Sequence, residues 1–149
     1  MDTERLFFLR EEHDLTQEDV GKIVGTKKFS VCNWESGKEI IPLVKLNEYA
    51  NYFNVSMDYI LKLDNCKTKK DCCNIALDKN LIGKNIREFR KSNNLTQRQL
   101  ADILNTTHSV IWAYEAGKTM ILTAFAYQMC KKFGLSMDWL CGRTKNSMD

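Results

Sequence analysis

The sequence predicts an all-α chain of two tandem five-helix domains joined by a linker. An internal repeat is the main observation. From Leu6/Ile86 to Lys62/Gly142 the chain matches itself at a constant offset of 80 residues, with fourteen of the 57 pairs identical. Two copies cannot stack into an array, so a repeat this long means two small domains. Periodicity is the second observation. Apolar residues recur at helical spacing, as at Val20, Ile23 and Val24, and no segment alternates with period two. The third is helix punctuation in both copies. Thr16 and Thr96 stand where a hydroxyl can satisfy an orphan N–H, and Gly37 and Gly134 stand where a helix must stop.

The elements follow in order. Thr3 caps a first helix that ends near Asp14, with Leu6, Leu9 and Arg10 on one face. Thr16 caps a second over 17–24. In the other copy Thr96 and Gln99 form a full T-x-x-Q capping box. Gly25-Thr26-Lys27 turns into a third helix, 28–36, with Val31 and Trp34 inward. Pro42 suits the first turn of a fourth, which ends near Phe53 with Asn54 as its stop. Ser56 caps a short fifth, and Asp58 sits in its first turn, where the helix dipole favours a negative charge. The second copy repeats this with helices over 82–93, 97–104, 108–116, 123–133 and 137–141, Thr123 serving as a cap. The domains are thus 1–63 and 81–143. Residues 64–80 form a polar linker, flexible enough to span about 20–25 Å on average, with a weak helix signal at 71–78. Residues 144–149 form a loose tail.

Composition excludes several classes. Each domain has about 60 residues, near the lower size for independent folding. At 44% hydrophobic and 10% aromatic residues the chain is globular in type. It has no apolar run of membrane-spanning length and no basic-then-apolar leader, which points to a cytoplasmic protein. Thiols stay reduced there, so the six cysteines do not read as a disulfide framework. Cys66, Cys72 and Cys73 cluster between the copies, but no C-x-x-C pair or nearby His completes a metal set, and no cofactor is expected. Residues 1–63 carry eight Lys/Arg against eleven Asp/Glu, whereas 81–149 carry ten against five. The second half therefore suits a polyanion better. No Gly-rich phosphate loop or nucleophile–base pairing marks an enzyme.

Two short helices around a tight turn inside such a domain make a helix-turn-helix reader. Leu15-Thr16-Gln17, inward Trp34, Glu35-Ser36-Gly37-Lys38 and Ser56-Met57-Asp58 recur as Leu95-Thr96-Gln97, Tyr114, Glu115-Ala116-Gly117-Lys118 and Ser136-Met137-Asp138. In this order the motifs resemble the phage repressor/Cro family, also called the XRE family, over residues 4–62 and 82–142. The resemblance implies two lambda-repressor-like domains that bind double-stranded DNA. It implies that Gln17 and Gln97 meet a backbone phosphate at the start of helix two; the alternative is that each Gln only fills its first turn. Lys38 and Lys118 are the remaining phosphate candidates. It implies that helix three lies in the major groove, with Lys27, Lys28, Phe29, Cys32 and Asn33 outward in the first copy. In the second copy Thr107, His108, Ser109, Trp112 and Ala113 take those places. Lys28 can donate to guanine, Asn33 can pair with adenine, and Phe29 or Trp112 can meet a thymine methyl; packing against protein is the alternative for both aromatics. Arg10 with Glu35, and Arg90 with Glu115, resemble the family's structural ion pair.

The chain also departs from the family. After Gly-Lys, where basic or polar residues usually stand, come Glu39-Ile40-Ile41 and Thr119-Met120-Ile121. Ile40, Ile41, Met120 and Ile121 are expected either to join the two domains into an intramolecular pseudo-dimer or to close each domain's own core. Phe7 and Phe8, matched by Arg87 and Glu88, suggest packing on the linker, the tail or another chain, including a homodimer partner. The expected function is a sequence-specific transcriptional regulator, a repressor, with two non-identical recognition helices. The competing class is a protein-interaction module, anti-repressor or antitoxin-like, that kept the fold and lost DNA binding in one or both copies.

Overall fold

The computed structural model describes residues 1–68 and 74–145. These form two compact units that divide between Ala76 and Leu77. In the first unit the helices are α1 (Glu4–Glu12), α2 (Gln17–Val24), α3 (Lys28–Ser36), α4 (Leu43–Phe53) and α5 (Met57–Ile60). In the second they are α6 (Lys79–Ser92), α7 (Gln97–Ile103), α8 (His108–Glu115), α9 (Thr123–Phe133) and α10 (Met137–Leu140). Among the described residues there is no strand. Among those residues, too, no helix is long and apolar enough to cross a membrane.

The apolar positions explain the packing. Leu6, Leu9, Val20, Val24, Val31, Trp34, Leu46, Tyr49 and Ile60 are buried in the first unit. Ile86, Phe89, Leu100, Leu104, Ile111, Tyr114, Ala126, Met129 and Leu140 are buried at the matching places in the second. The backbone repeats as closely. Left-handed φ values occur at five matched pairs: Asp14/Asn94, Gly25/Asn105, Gly37/Gly117, Asn54/Gly134 and Lys62/Gly142. Most of these end a helix, and in three of the pairs, Gly25/Asn105, Asn54/Gly134 and Lys62/Gly142, only one copy has Gly, so the turn geometry outlives the residue that makes it easiest.

Helix ends differ from expectation at four places. Thr3 makes no cap bond; its hydroxyl donates to the Trp34 carbonyl at 2.8 Å and so ties α1 to the end of α3. Thr123 is buried as the first residue of α9, with Leu122 at the cap position and no side-chain cap. The first unit's α2 carries a full capping box as well, because Asp19 does there what Gln99 does in α7. Helix α6 starts at Lys79, three residues before the expected Ile82, with the Asp78 carboxylate accepting from the Asn80 N–H.

The expected free linker is in fact moored to the first unit. The Ser56 N–H donates to the Lys67 carbonyl at 2.9 Å, and the Ser56 hydroxyl donates to the Cys66 carbonyl. Lys67 pairs with Glu12 at 2.8 Å. Farther on, the Asn47 and Asn51 side-chain amides both donate to the Ile75 carbonyl, at 2.7 and 3.0 Å. Residues 74–78 are not helical, and the rest of the expected 71–78 helix, with Cys72 and Cys73, lies outside the described residues.

Candidate nucleic-acid interface

Each unit contains a helix-turn-helix pair, α2–α3 and α7–α8. The first turn pivots on Gly25 in the left-handed region, and Asn105 holds the matching conformation. Inside the pair α2 packs on α3, with Val20 and Val24 buried on one helix and Val31 and Trp34 on the other. What remains outward on α3 is Lys28, Phe29 and Cys32, with Lys27 at its N-cap. Phe29 is 72% exposed, so it does no core work. On α8 the outward set is His108, Ser109 and Trp112, the last 51% exposed. Thr107 is exposed at the N-cap, its hydroxyl accepting from the Val110 N–H. Within the chain, neither aromatic is packed away.

Two expected reading residues are placed differently. Asn33 is buried, at 6% exposure, and does not join the outward stripe. Its carbonyl accepts from the Glu39 N–H and from the Ser36 hydroxyl, at the helix end. Ala113, its counterpart, is half-buried. The stripe is therefore narrower than the sequence suggested.

Behind each recognition helix stands the ion pair. Arg10 grips Glu35 with two bonds, Nε to Oε1 at 2.7 Å and a terminal nitrogen to Oε2 at 3.1 Å, and also donates to the Leu15 carbonyl. Glu35 holds the Arg10 guanidinium above its ordinary pKa despite burial. Arg90 repeats the arrangement on Glu115, at 2.8 Å, and on the Leu95 carbonyl. Gln17 and Gln97 are drawn into the same network: each side-chain N–H donates to the second oxygen of Glu35 or Glu115. An amide nitrogen has two hydrogens, so one remains for a phosphate while the other fixes the rotamer. Lys38 and Lys118 are exposed just past the helix ends.

The interdomain candidates separate into two kinds. Ile41 and Ile121 are buried, at 0% and 2% exposure. Ile40 is exposed and Met120 half-buried. Phe7 and Phe8 remain exposed and touch each other edge to face at 5.5 Å; Phe7 also lies under the Arg10 guanidinium, 5.2 Å from its ring centre.

Sequence reasoning missed three features. Arg143 and Asp138 form a fully buried pair at 3.0 Å, with Leu63 standing where Arg143 would repeat. A cleft of about 240 Å³ opens beside Trp112, lined by Arg87, Arg90, Gln97, Glu115 and Ala116. A charge reversal at the start of helix two places Glu18 in one copy and Arg98 in the other. Aligning the copies by charge as well as by identity would have exposed the last. Among the described residues no group of three or more His, Cys, Asp or Glu is placed to hold a metal.

Comparison with known proteins agrees with this geometry. A family model described as a helix-turn-helix domain matches twice, over residues 3–65 and 83–143. The chain is 34% identical over 65 residues to the antitoxin PezA of Streptococcus pneumoniae, a match covering 44% of this chain and 41% of that one. It is 40% identical over 60 residues to YobD of Bacillus subtilis, an uncharacterised HTH-type transcriptional regulator, covering 40% of this chain and 54% of that one. The chain thus spans about half the length of the curated relatives it matches. No solved structure gives a significant match.

Proposed function

The chain belongs to the helix-turn-helix domain family, and we propose that it is a sequence-specific double-stranded DNA-binding transcriptional regulator, a repressor, with two non-identical recognition helices. The observation that carries this reading is the pair of outward stripes on α3 and α8. Lys28, Phe29 and Cys32 on one, and His108, Ser109 and Trp112 on the other, are exposed on helices whose opposite faces are buried. Such side chains contribute nothing to their own core, while Lys and His can donate to base-edge acceptors in a major groove. The similarity to a transcriptional regulator supports the same class.

Because the stripes differ at every outward position, the preferred site is two unlike half-sites. Engaged on one face of the duplex, their centres lie about 34–36 Å apart. The protein works in the cytoplasm, as an intramolecular pseudo-dimer or as a homodimer. Selection of bound duplexes from a random pool tests the proposal. Lys28→Ala should relax preference at one half-site and His108→Ala at the other. A pool that shows no enrichment, or a single half-site insensitive to both changes, would sink it.

The second reading is a protein-interaction module of antitoxin-like type. The exposed Phe7–Phe8 pair, the acidic first half and the similarity to an antitoxin favour it. Mixed duplex in low salt separates the two readings, since the module should not bind it at all.

A further inference from the structure

We propose that the cleft beside Trp112 is a seat for a backbone phosphate and its adjoining sugar, and that the second domain is the one that anchors the chain on a duplex. This rests on the duplex-binding reading above and adds a site and a division of labour to it. Two cations line the cleft, and one is already engaged. Arg90 is bound to Glu115 and to the Leu95 carbonyl, and Gln97 also donates to Glu115. The carboxylate of the cleft is therefore satisfied from within. Arg87 is exposed and makes no ion pair or hydrogen bond among the described residues. Its guanidinium can present two parallel N–H groups to phosphate oxygens. Trp112 supplies what a bare anion site lacks, a flat apolar face that can pack on a deoxyribose or base edge, and an N–H that can donate. A free guanidinium beside an exposed indole suits a phosphodiester rather than an isolated ion.

The first domain lacks the same combination. Phe7 stands for Arg87, with its ring against the Arg10 guanidinium, and Cys32 stands for Trp112. Around them Glu18 and Glu39 replace Arg98 and Thr119, so carboxylates flank the phosphate-facing positions. Lys28 and Lys38 must act against those charges. The first domain then adds reading contacts to a complex that the second has already placed.

The test uses the full chain, mixed genomic duplex fragments and a salt titration. Wild type should bind with an affinity that falls as salt rises. Arg87→Gln should weaken binding about tenfold on every sequence and make the log–log salt slope shallower by about 0.9. Arg87→Lys should restore the slope. Trp112→Ala should weaken binding severalfold with the slope unchanged, and Lys28→Gln should cost less than Arg87→Gln. Both cleft residues are exposed, so helix content by circular dichroism should not change. If wild type binds duplex but the two cleft variants match it, or if Lys28→Gln costs more than Arg87→Gln, the seat is refuted while the duplex reading survives. If wild type binds no duplex even in low salt, both fall.

Discussion

Helices α1 and α6 occupy equivalent places and meet their recognition helices by different means. At the end of α3, Thr3 carries a hydroxyl that bonds the Trp34 carbonyl. At the end of α8, Gly83 stands instead, and a Cβ built there would lie 2.3 Å from the Tyr114 carbonyl oxygen. α6 also extends by a further turn, which places Asn80 against Gly117 and the Lys79 ammonium 3.5 Å from the Lys118 carbonyl. Farther along, the Arg5 guanidinium and the Asn85 amide both donate to the matching carbonyls of Tyr59 and Trp139. Arg5 reaches on to Asp64 and Asn65, where the first unit's mooring begins. The repeat therefore preserves carbonyl positions and backbone turns, while the donors that satisfy them are interchangeable. The outward faces of α3 and α8 carry no such constraint, and they differ throughout.

The largest expected effect comes from the place where the two units are least alike inside. Arg143 and Asp138 are both fully buried, whereas Leu63 holds the position of Arg143. Arg143→Ala removes the guanidinium bonded to a buried carboxylate and should destabilise the second unit by about 3–5 kcal/mol. Leu63 is only half-buried, so Leu63→Ala should cost the first unit less than that range. Hydrogen exchange by residue in the full chain reads the two units separately. Equal losses would mean that the pair contributes no more than its apolar substitute.

Much of this was legible in the sequence, and the exceptions have physical causes. The bounds of α2, α3 and α9 fall where glycine stops and apolar spacing put them, at 17–24, 28–36 and 123–133. Arg10–Glu35 and Arg90–Glu115, whose members match at the offset of 80, are both paired. Asn33 departs from the expected outward set because successive residues on a helix turn by about 100°. One step past exposed Cys32 the stripe has already reached the buried side. The mooring of 64–68 and of Ile75 was invisible because its acceptors are main-chain carbonyls of Cys66, Lys67 and Ile75, which carry no side-chain signature. The Arg87–Trp112 cleft assembles residues from α6, α7 and α8 that no local pattern connects.

The α1/α6 contrast yields the next effect in size. Gly83→Ala drives a Cβ into backbone at both Tyr114 and Glu115, which cannot yield as a side-chain tip would. It should cost about 1–3 kcal/mol. Thr3→Ala removes only a bond to the Trp34 carbonyl and should cost about 1 kcal/mol. Denaturant melts of the two variants should rank in that order. The reverse ranking would mean that α6 can move off α8 more easily than its close approach implies.

The smallest effect is local and depends on pH. Both helix-two boxes close on the N-cap threonine, but Asp19 titrates and Gln99 does not. The backbone N–H of Thr16 donates to the Asp19 carboxylate, and with the Thr16 side chain it holds that group below the usual carboxylate range. A depressed folded pKa contributes stability that is complete above the unfolded value of 3.8 and is lost as pH falls through the lower, folded one. Acidification below about pH 4 should therefore reduce exchange protection at Thr16, measured against the intrinsic rate, more than at Thr96. Asp2 and Glu12 are also held low by Lys62 and Lys67, so acid loosens the first unit elsewhere too. Asp19→Asn isolates the cap, because an amide oxygen accepts the same bond without titrating. In that variant Thr16 should lose the acid response and behave as Thr96 does. If Thr16 still yields to acid there, the sensitivity comes from the outer ion pairs and the two boxes are equivalent.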